Sequence, residues 1–540
     1  QDRRVTDLAG LIERLDELQR GQDDIRSALH QAESERERAR EERDRFKALY
    51  LEMLERNRKL ERGPMGQQRE RATSESQLTL DVLSAMLGER AAADIDALQG
   101  PDEPEEKKPR KKGHGRRPLP EDLPPVDIEI IPDEVQRAGL DAFERIGEEV
   151  TEVLERRPGS MVIARIIKPK FVRKDREPNA PTEVHVGQTP SLPIPRSVAG
   201  PGLLADTLVR RWQDHMPLHR LEQMYAREGV EMARSTICGW HEQLRPLVEP
   251  LIAAMRAEAF TAPYLCTDAT GVLVQAKEQC RRGHFWVLID PGRHVLFEYT
   301  RNHTNDAVDS LLAGYEGYLV ADAHVVYDHL YERGDIVEVN CWAHSRRYFF
   351  KAMASDPECA GQALRMQGLL FKIERSIKDA PRKKREAIRQ KHSAPVVERF
   401  FSWCDAEWER ALEDTPMYAA LRYARNQRVG LQRFLTDGRL PLENNISERE
   451  LRRQAVGRKN WLFVGSDDAA HVNAAFTTLL ASCRMVGVEP WEYLRDLFCL
   501  LPAWPSHRVL ELAPAYWAGT REREDVVAML AADPYRAATL

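Results

Sequence analysis

Three acidic residues, far apart along the chain, stand where a free carboxylate would be costly. Asp268 lies inside the alternating apolar segment YLCTDATGVLV, and Asp322 directly follows the apolar start of YLVADAHVVYD. Burying an ionised carboxylate is unfavourable unless something neutralises it. Hard divalent cations such as Mg²⁺ take oxygen ligands. We therefore predict that Asp268 and Asp322 bind metal, the alternative being side chains that face solvent or cap a turn.

A third carboxylate is expected from Glu448, in the segment ENNISERELRRQAVGRKN. Asn445 or Ser447 is predicted to cap a helix there, and Glu448 shares a helical face with Leu451. A site that cuts phosphodiesters needs metal-binding carboxylates and nearby cations that hold the DNA backbone. The alternative is a solvated helix with i,i+4 ion pairs. The candidate DNA-binding residues of this segment are Arg449, Arg452, Arg453, Arg458 and Lys459.

The elements around the two aspartates are predicted in the order strand, strand, strand, helix, strand, helix, strand over residues 259–354. That order is the skeleton of an RNase H-like domain, in which the first and fourth strands are neighbours. Turns are expected near Gly271, Gly283 and Gly292. Residues 355–440 have a helical pattern and are interpreted as an insertion, and residues 441–490 as the second part of the core.

Residues 1–63 predict a coiled coil. Apolar residues recur at alternating spacings of three and four from Leu8 to Leu60, a seam that needs a partner helix. We expect self-association with a second copy, the alternative being one long helix that folds back on its own domain. Residues 64–100 are predicted to be helical.

Residues 101–126 are predicted to be a flexible basic linker, since they are rich in proline and charge and lack periodicity. The stretch KKPRKKGHGRR has seven Lys or Arg in eleven residues. Such a stretch can be a solvated tail or can contact DNA phosphates and the minor groove, and we favour DNA contact. The candidate residues are Lys107, Lys108, Arg110, Lys111, Lys112, Arg116 and Arg117. Residues 127–180 follow as a small β-rich module.

Residues 197–258 are expected to be helical. The segment LHRLEQMYAREGVEMARSTICGW predicts a helix, a turn at Gly229 and a second helix opened by Ser235, as in a helix-turn-helix. Any helical hairpin with a glycine turn would have the same pattern. Arg234 is the candidate DNA-binding residue of this unit.

Bulk composition excludes several classes of protein. The net charge is −6, so DNA contact must come from local basic runs rather than from the whole chain. The eight cysteines form no CxxC pair and follow no secretory signal, which predicts reduced thiols in a cytosolic protein. No apolar run approaches the roughly 20 residues of a membrane span.

Longer motifs carry a resemblance to a family. The motifs that carry this resemblance are VAGPGLLADTLVRRWQDHMPLHR, CWAHSRRYFF, ENNISERELRRQAVGRKNWLFVGS and YLRDLFCLLP. The chain resembles the large DDE transposase subunit of the insertion-sequence-66 family from about residue 45 to 515. The resemblance implies a multidomain α+β protein whose RNase H-like core is interrupted by the helical insertion. It places Asp268, Asp322 and Glu448 at the acidic positions, and residues 491–540 at the C-terminal element.

The chain also departs from the family pattern. Ala269 and Ala323 stand where the family usually has Glu and Gly, and Glu443 stands where it has Asp, so Glu443 is a rival third carboxylate. The family's module at 127–180 resembles a four-cysteine zinc finger, but residues 1–237 here contain no cysteine, so no zinc is expected. Cys341 and His344 could be half of a metal site, although a core or DNA-supporting role is favoured.

The expected function is cleavage of insertion-sequence ends and joining of their 3′-hydroxyls to target DNA with two Mg²⁺ or Mn²⁺ ions. The expected partners are double-stranded DNA, a second copy of the chain and small accessory proteins of the same element. The expected location is the bacterial cytoplasm, with the nucleoid. The alternatives are a catalytically silent DNA-binding or assembly protein of the same fold, and a structure-specific nuclease without strand transfer.

Overall fold

The computed structural model describes residues 123–157, 159–174, 183–276 and 279–539. All of them belong to one unit, Gly115–Leu540. The predicted coiled coil (1–63), the helical segment (64–100) and nearly all of the linker (101–126), including its seven basic candidate residues, lie outside the described residues. Self-association through the coiled coil and DNA contact by the linker therefore stay predictions.

The β-rich module begins the described part of the chain as a four-stranded sheet. Its strands are β1 (Pro125–Glu129), β2 (Phe143–Arg157), β3 (Ser160–Arg173) and β4 (His185–Val186), with helix α1 (Asp133–Ala138) between β1 and β2. Strand β3 is central, since it pairs in parallel with β1 and antiparallel with β2 and β4. The β-branched residues of β3 suit this buried position.

Three helices follow, namely α2 (Pro201–Leu208), α3 (Leu218–Arg227) and α4 (Arg234–Ala259). A π-helical segment, Val209–Gln213, extends α2. Gly229 forms the predicted turn between α3 and α4 with φ of 82°, a value that glycine adopts without steric cost. The prediction that Ser235 opens the second helix is wrong, because α4 begins at Arg234 and its N-cap, Ala233, offers no side-chain oxygen.

A five-stranded mixed sheet forms the centre of the unit. Its strands are β5 (Tyr264–Val274), β6 (Arg281–Asp290), β7 (His294–Thr300), β8 (Gly317–Ala321) and β9 (Ile336–Asn340), in the spatial order β7-β6-β5-β8-β9. Helix α5 (Asn305–Leu311) precedes β8 and helix α6 (Asp328–Arg333) precedes β9. The predicted order is observed, and the first and fourth strands, β5 and β8, are parallel neighbours.

Two of the three predicted glycine turns are wrong. Gly271 lies inside β5 and Gly283 lies inside β6, where the two strands pair without interruption. Gly283 is needed there because a Cβ atom would lie 2.7 Å from the ring of Tyr299. Gly292 does occupy the turn between β6 and β7, with φ of 87°.

The remaining helices cover the sheet. They are α7 (Trp342–Ala352), α8 (Pro357–Ser376), α9 (Arg382–Ile388), α10 (Ala394–Trp408), α11 (Pro416–Asn426), α12 (Arg428–Gln432), α13 (Asn445–Trp461), α14 (Asp467–Val486), α15 (Pro490–Leu500), α16 (Pro514–Arg521), α17 (Glu524–Ala532) and α18 (Pro534–Ala537). Residues 355–440 are helical between their loops, as predicted. Within the described residues, no helix combines the length and hydropathy that a bilayer crossing requires.

Each face of the central sheet has its own apolar core. On one face Leu265, Leu288 and Leu319 pack in a cluster with residues of α4 and the C-terminal helices. On the other face Cys266, Val287 and Val320 pack in a cluster with the helical insertion and Leu451 of α13. Side chains alternate between faces along a strand, so the second face also carries Asp268.

Candidate active site

The two aspartates occupy matching positions along neighbouring parallel strands, with Asp268 inside β5 and Asp322 directly after the last residue of β8. Cys266 of β5 is paired with Val320 of β8. Asp268 stands two residues further along β5, so the alternation of side chains places it on the face that the helical insertion covers. Asp322 stands two residues after Val320, and its charge acts on Asp268. Adjacent strands are about 4.8 Å apart. The sheet therefore brings the two carboxylates together at its carboxyl edge.

Helix α13 is attached beside Asp268 by Asn444, a fully buried residue at its N-terminus. The Asn444 side-chain amide donates to the backbone oxygen of Thr267 at 2.8 Å, and its backbone N–H donates to Cys341 Sγ at 3.1 Å. Ser447 donates to the Asn444 side-chain oxygen at 2.8 Å. Asn445 and Ser447, the predicted caps, are therefore not the N-cap. Asn444 fixes the first turn, which carries Glu448.

The charges of Asp322 and Glu448 both act on Asp268. Burial is the largest cause that raises the pKa of Asp268, and the neighbouring charges of Asp322 and Glu448 raise it further, to about 7. The Ala269 N–H, which donates to Asp268 at 2.7 Å, and the Arg347 charge act in the opposite direction. The negative charges of Asp322 and Glu448 thus outweigh the positive charge of Arg347 in their effect on Asp268.

Glu448 is held by two basic side chains of helix α7. Arg347 Nη2 donates to Glu448 Oε1 at 3.0 Å and to Oε2 at 3.2 Å, and His344 Nε2 lies 3.4 Å from Oε1. Burial and the Arg347 charge lower the pKa of His344, while the Glu448 and Asp322 charges raise it. The net effect lowers the pKa of His344, so its imidazole is neutral beside the ion pair of Arg347 and Glu448.

Glu443, the rival third carboxylate, lies close enough to Glu448 for the charge of Glu448 to act on it. Burial raises the pKa of Glu443, and so does the charge of Glu448, while a hydrogen bond with Asn445 lowers it. The charge of Glu448 is among the largest influences on the pKa of Asp268. Glu448 as the third member of the acidic group stays a prediction, with Glu443 as its rival.

The predicted basic residues of α13 fall into two groups. Arg449, Arg452 and Lys459 are exposed. Arg453 is buried and its Nε lies 3.1 Å from Glu450, and Arg458 donates to Thr270 Oγ1 at 3.0 Å and to the Gly271 backbone. Arg453 and Arg458 therefore stabilise the protein, and the prediction that they hold DNA is not supported by their contacts.

Arg234, the predicted DNA-binding residue of the helical unit, is exposed at the first position of α4. Its side chain lies on a helix that continues for 26 residues and buries Leu244, Val248 and Leu251 against the central core. The helix-turn-helix pattern is thus part of the layer that supports the sheet. Its contact with DNA stays a prediction.

Carboxylate oxygens are suitable ligands for hard divalent cations. The third candidate carboxylate, Glu448, is already paired with Arg347. Within the described residues, no three His, Cys, Asp or Glu side chains are already close enough to share one metal ion. Cys341 does not supply a ligand, because it is buried and accepts the Asn444 N–H, and burial raises the pKa of its thiol to about 11. Asp268 and Asp322 are near each other, and Glu448 is paired with Arg347.

Sequence reasoning missed Asn444 and Arg347 as members of the site. Both lie inside motifs that had been noticed, ENN and CWAHSRR, but for other residues. The spacing of His344 and Arg347, three residues apart on one helical face, was a usable signal. No comparable signal marked the long-range contact of Asn444 with Thr267.

Comparison with known proteins identifies the family. The family model described as Transposase IS66 family matches residues 196–472, just over half of the chain, and the IS66 C-terminal element matches residues 478–515. The chain belongs to the IS66 transposase family. The match spans all the candidate acidic residues of the IS66 chain, and its family role is that of a transposase, a DNA-processing enzyme.

Relatives of the IS66 chain occur in Sinorhizobium fredii (strain NBRC 101917 / NGR234). Uncharacterized protein y4hP is 28% identical over 430 residues, which cover 74% of this chain and 77% of the relative. Uncharacterized protein y4qI is also 28% identical over 430 residues, covering 75% and 78%. Uncharacterized protein y4jD is 26% identical over 402 residues, covering 70% and 77%.

Proposed function

We propose that this chain is a DDE transposase that cuts the ends of its insertion sequence and joins the freed 3′-hydroxyls to target DNA. The proposed scaffold is an RNase H-like core with a helical insertion. One observation carries the proposal, namely that the charges of Asp322 and Glu448, from a neighbouring strand and a docked helix, both act on Asp268. Converging carboxylates at a sheet edge suit two-metal phosphodiester chemistry.

Asp268, Asp322 and Glu448 are the residues that would hold two Mg²⁺ or Mn²⁺ ions. When bound, such ions activate the attacking hydroxyl and stabilise the charge that develops on the phosphate. Glu448 must exchange its pairing with Arg347 for a cation, since Arg347 now contacts both of its oxygens. A DNA phosphate is the natural new partner for the released guanidinium.

Other residues of the chain would position the substrate. Arg449, Arg452 and Lys459 are exposed on the helix that carries Glu448, where they can hold the phosphates next to the scissile bond. Asn444 keeps that helix in register with β5 through Thr267. The three basic residues would bind and orient DNA, Asn444 would position the helix, and the carboxylates would carry the chemistry.

A strand-transfer assay tests the proposal. Labelled end DNA of the element, a target plasmid and Mg²⁺ are incubated with wild-type protein, with Asp268→Ala and with Asp379→Ala, which removes an exposed carboxylate of the insertion. Joined products from wild type and Asp379→Ala but not from Asp268→Ala support transposition. Nicks without joining support a nuclease, and binding without cleavage supports a silent DNA-binding protein.

We also propose that the chain works as a dimer through residues 1–63, so that both ends of the element are handled together. Sedimentation of the full chain and of a chain lacking residues 1–63 tests this. The full chain is expected to have twice the mass of its protomer and the shortened chain the mass of one protomer. The same oligomeric state for the full chain and the shortened chain would contradict the proposal.

A further inference from the structure

Helix α13 carries a continuous stripe of exposed residues beside the candidate active site. Arg449, Arg452, Val456 and Lys459 are all exposed, and their spacings of three, four and three place them on one side of the helix. The stripe starts at the residue after Glu448 and runs away from the acidic group. Phe463, also exposed, follows just beyond the end of the helix.

The cations of this stripe differ from the other arginines of the helix. Neither Arg452 nor Lys459 forms a salt bridge with a carboxylate of the described residues, whereas Arg453 is paired with Glu450. A helix face that is merely solvated gains from i,i+4 pairs, but Glu448, four residues before Arg452, is turned to Arg347 instead. Arg452 and Lys459 therefore keep their positive charge available to an anionic partner.

The helix ends in a rare and strained turn. Leu462 has φ of 59° and ψ of −53°, and the Phe463 N–H donates to the Trp461 backbone oxygen at 2.7 Å. Together these describe a γ-turn of the uncommon form, which is strained for a bulky residue. Such strain persists only where the surroundings impose it, and it concentrates at functional sites.

Backbone hydrogen bonds on the far side of the turn impose this conformation. The Val464 N–H donates to the Leu273 oxygen and the Gln275 N–H donates to the Val464 oxygen, both at 2.8 Å. The turn is thus fastened between the end of α13 and the end of β5, the strand that carries Asp268.

The turn presents an apolar tip to solvent. Leu462 is 65% exposed, Phe463 is 42% exposed and the adjoining Leu273 is 49% exposed. Exposed Arg282 is paired in register with Leu273 on the neighbouring strand, and exposed Lys459 lies three residues before Leu462, so both segments that meet at the tip carry a cation. Apolar side chains flanked by cations suit a DNA base step, where unstacked bases meet apolar wedges and phosphates meet the charges.

We propose that the Leu462–Phe463 turn is a wedge that unstacks one base step of the bound DNA, while Arg449, Arg452 and Lys459 follow the adjoining backbone. This proposal rests on the proposed DNA-cutting function. Fourteen residues separate Glu448 from Leu462, which is about 21 Å along a helix. At roughly 3.4 Å per nucleotide, the unstacked step is expected about six nucleotides from the cut phosphate.

Fluorescence of 2-aminopurine tests the wedge, because this base brightens when it unstacks. Duplexes of the element's end carry it at single positions, from about two to about ten nucleotides on either side of the cut. Full-length wild-type protein is expected to give one maximum near the sixth position. Leu462→Ser combined with Phe463→Ser should abolish that maximum, and the matched control Leu412→Ser, at a 75% exposed leucine of the insertion, should keep it.

Two further measurements separate this proposal from the others. Lys459→Ala should lower the dependence of log affinity on log salt concentration by about one unit, since one phosphate contact is lost.

If wild type binds and cuts the duplex without a local fluorescence maximum, or if the maximum persists in the double variant, the wedge is overturned and the transposase function stands. A lower oligomeric mass of the double variant would instead assign the tip to contact between copies, and a chain that binds no DNA would overturn both proposals.

Discussion

One guanidinium nitrogen of Arg347 contacts both carboxylate oxygens of Glu448, at 3.0 and 3.2 Å. The pair joins helix α7, which follows the last strand of the sheet, to helix α13, which follows the insertion. It is partly buried, with the two side chains 24% and 30% exposed. The pair therefore neutralises the third candidate carboxylate in the free protein, and any cation that binds there must compete with Arg347.

Arg347→Ala is expected to raise the affinity of the DNA-free protein for Mn²⁺ about tenfold, equivalent to about 1.4 kcal/mol, because a competing positive charge is removed. Isothermal titration calorimetry measures this. Arg346→Ala is the matched control, since Arg346 lies over the ring of Phe371 and not on Glu448. Unchanged or weaker Mn²⁺ binding by Arg347→Ala would contradict the competition.

Asp268 makes the stability of the metal-free protein depend on pH. Its folded pKa of about 7 lies above the unfolded value of about 3.9, so the folded state binds more protons between these values. The free energy of unfolding therefore falls as pH rises from about 4 to about 7. Asp268→Asn removes the charge and is expected to be more stable than wild type at about pH 8, by on the order of 2 kcal/mol.

Thermal unfolding in EDTA at about pH 5 and about pH 8 checks this expectation. The advantage of Asp268→Asn should be clearly smaller at the lower pH, where the folded wild type is protonated. Added Mn²⁺ should stabilise wild type and not the variant at the higher pH. If wild type were more stable than Asp268→Asn at about pH 8 in EDTA, the expectation that the ionised Asp268 carboxylate destabilises the folded protein would be contradicted.

Asn444→Ala is expected to lower the free energy of unfolding by about 1–3 kcal/mol, since the buried oxygen of Thr267 loses its side-chain donor. Urea titration measures the loss. Asn445→Ala, at the neighbouring and partly exposed position, should lose far less. Equal stabilities of the two variants would mean that Asn444 does not fasten the helix to β5.

Gly200→Ala is expected to destabilise the protein by about 2–3 kcal/mol. A Cβ atom at Gly200 would lie 1.9 Å from Glu155 Oε2. The Glu155 side chain is fully buried, and its Oε1 accepts the Leu203 N–H at 2.6 Å at the start of helix α2, so it cannot move away freely.

Gly519→Ala is the control for this crowding, because no heavy atom lies within 4 Å of an added Cβ there. It should not lower the midpoint of urea unfolding and is expected to raise it slightly, because Gly519 is an exposed residue of helix α16 and alanine is the better helix former. Similar midpoints for Gly200→Ala and wild type would mean that the Glu155 carboxyl relaxes without loss.

Alternating apolar residues were sufficient to predict much of the central sheet. The boundaries of β5 and β7 agree with the sequence pattern, because each strand has a run of residues buried on one face or both. Gly271 and Gly283 were interpreted wrongly as turns, since glycine also serves where a large neighbour, such as Tyr299, leaves no room for a Cβ atom. A single sequence does not distinguish the two uses.

The sequence was sufficient to single out the acidic candidates, but it did not predict that Glu448 pairs with Arg347. Asp268 and Asp322 were visible as charges in apolar strands, and strand order then made them neighbours. The roles of the arginines were not visible, because Arg452 and Arg453 are adjacent in sequence yet one is exposed and the other buried. Which residue of such a pair faces solvent depends on the rotation of the helix, which Asn444 and its distant partner set.

The contacts of Asn444 also determine when the acidic group is completed during synthesis of the chain. Thr267 and Cys341 are synthesised before the helical insertion, whereas Asn444 and Glu448 follow it. Domains fold as the chain leaves the ribosome, so an incomplete nascent polypeptide has two of the carboxylates and lacks the third. A truncated chain that ends within the insertion therefore lacks Asn444, Glu448 and the helix that carries them, so its acidic group stays incomplete.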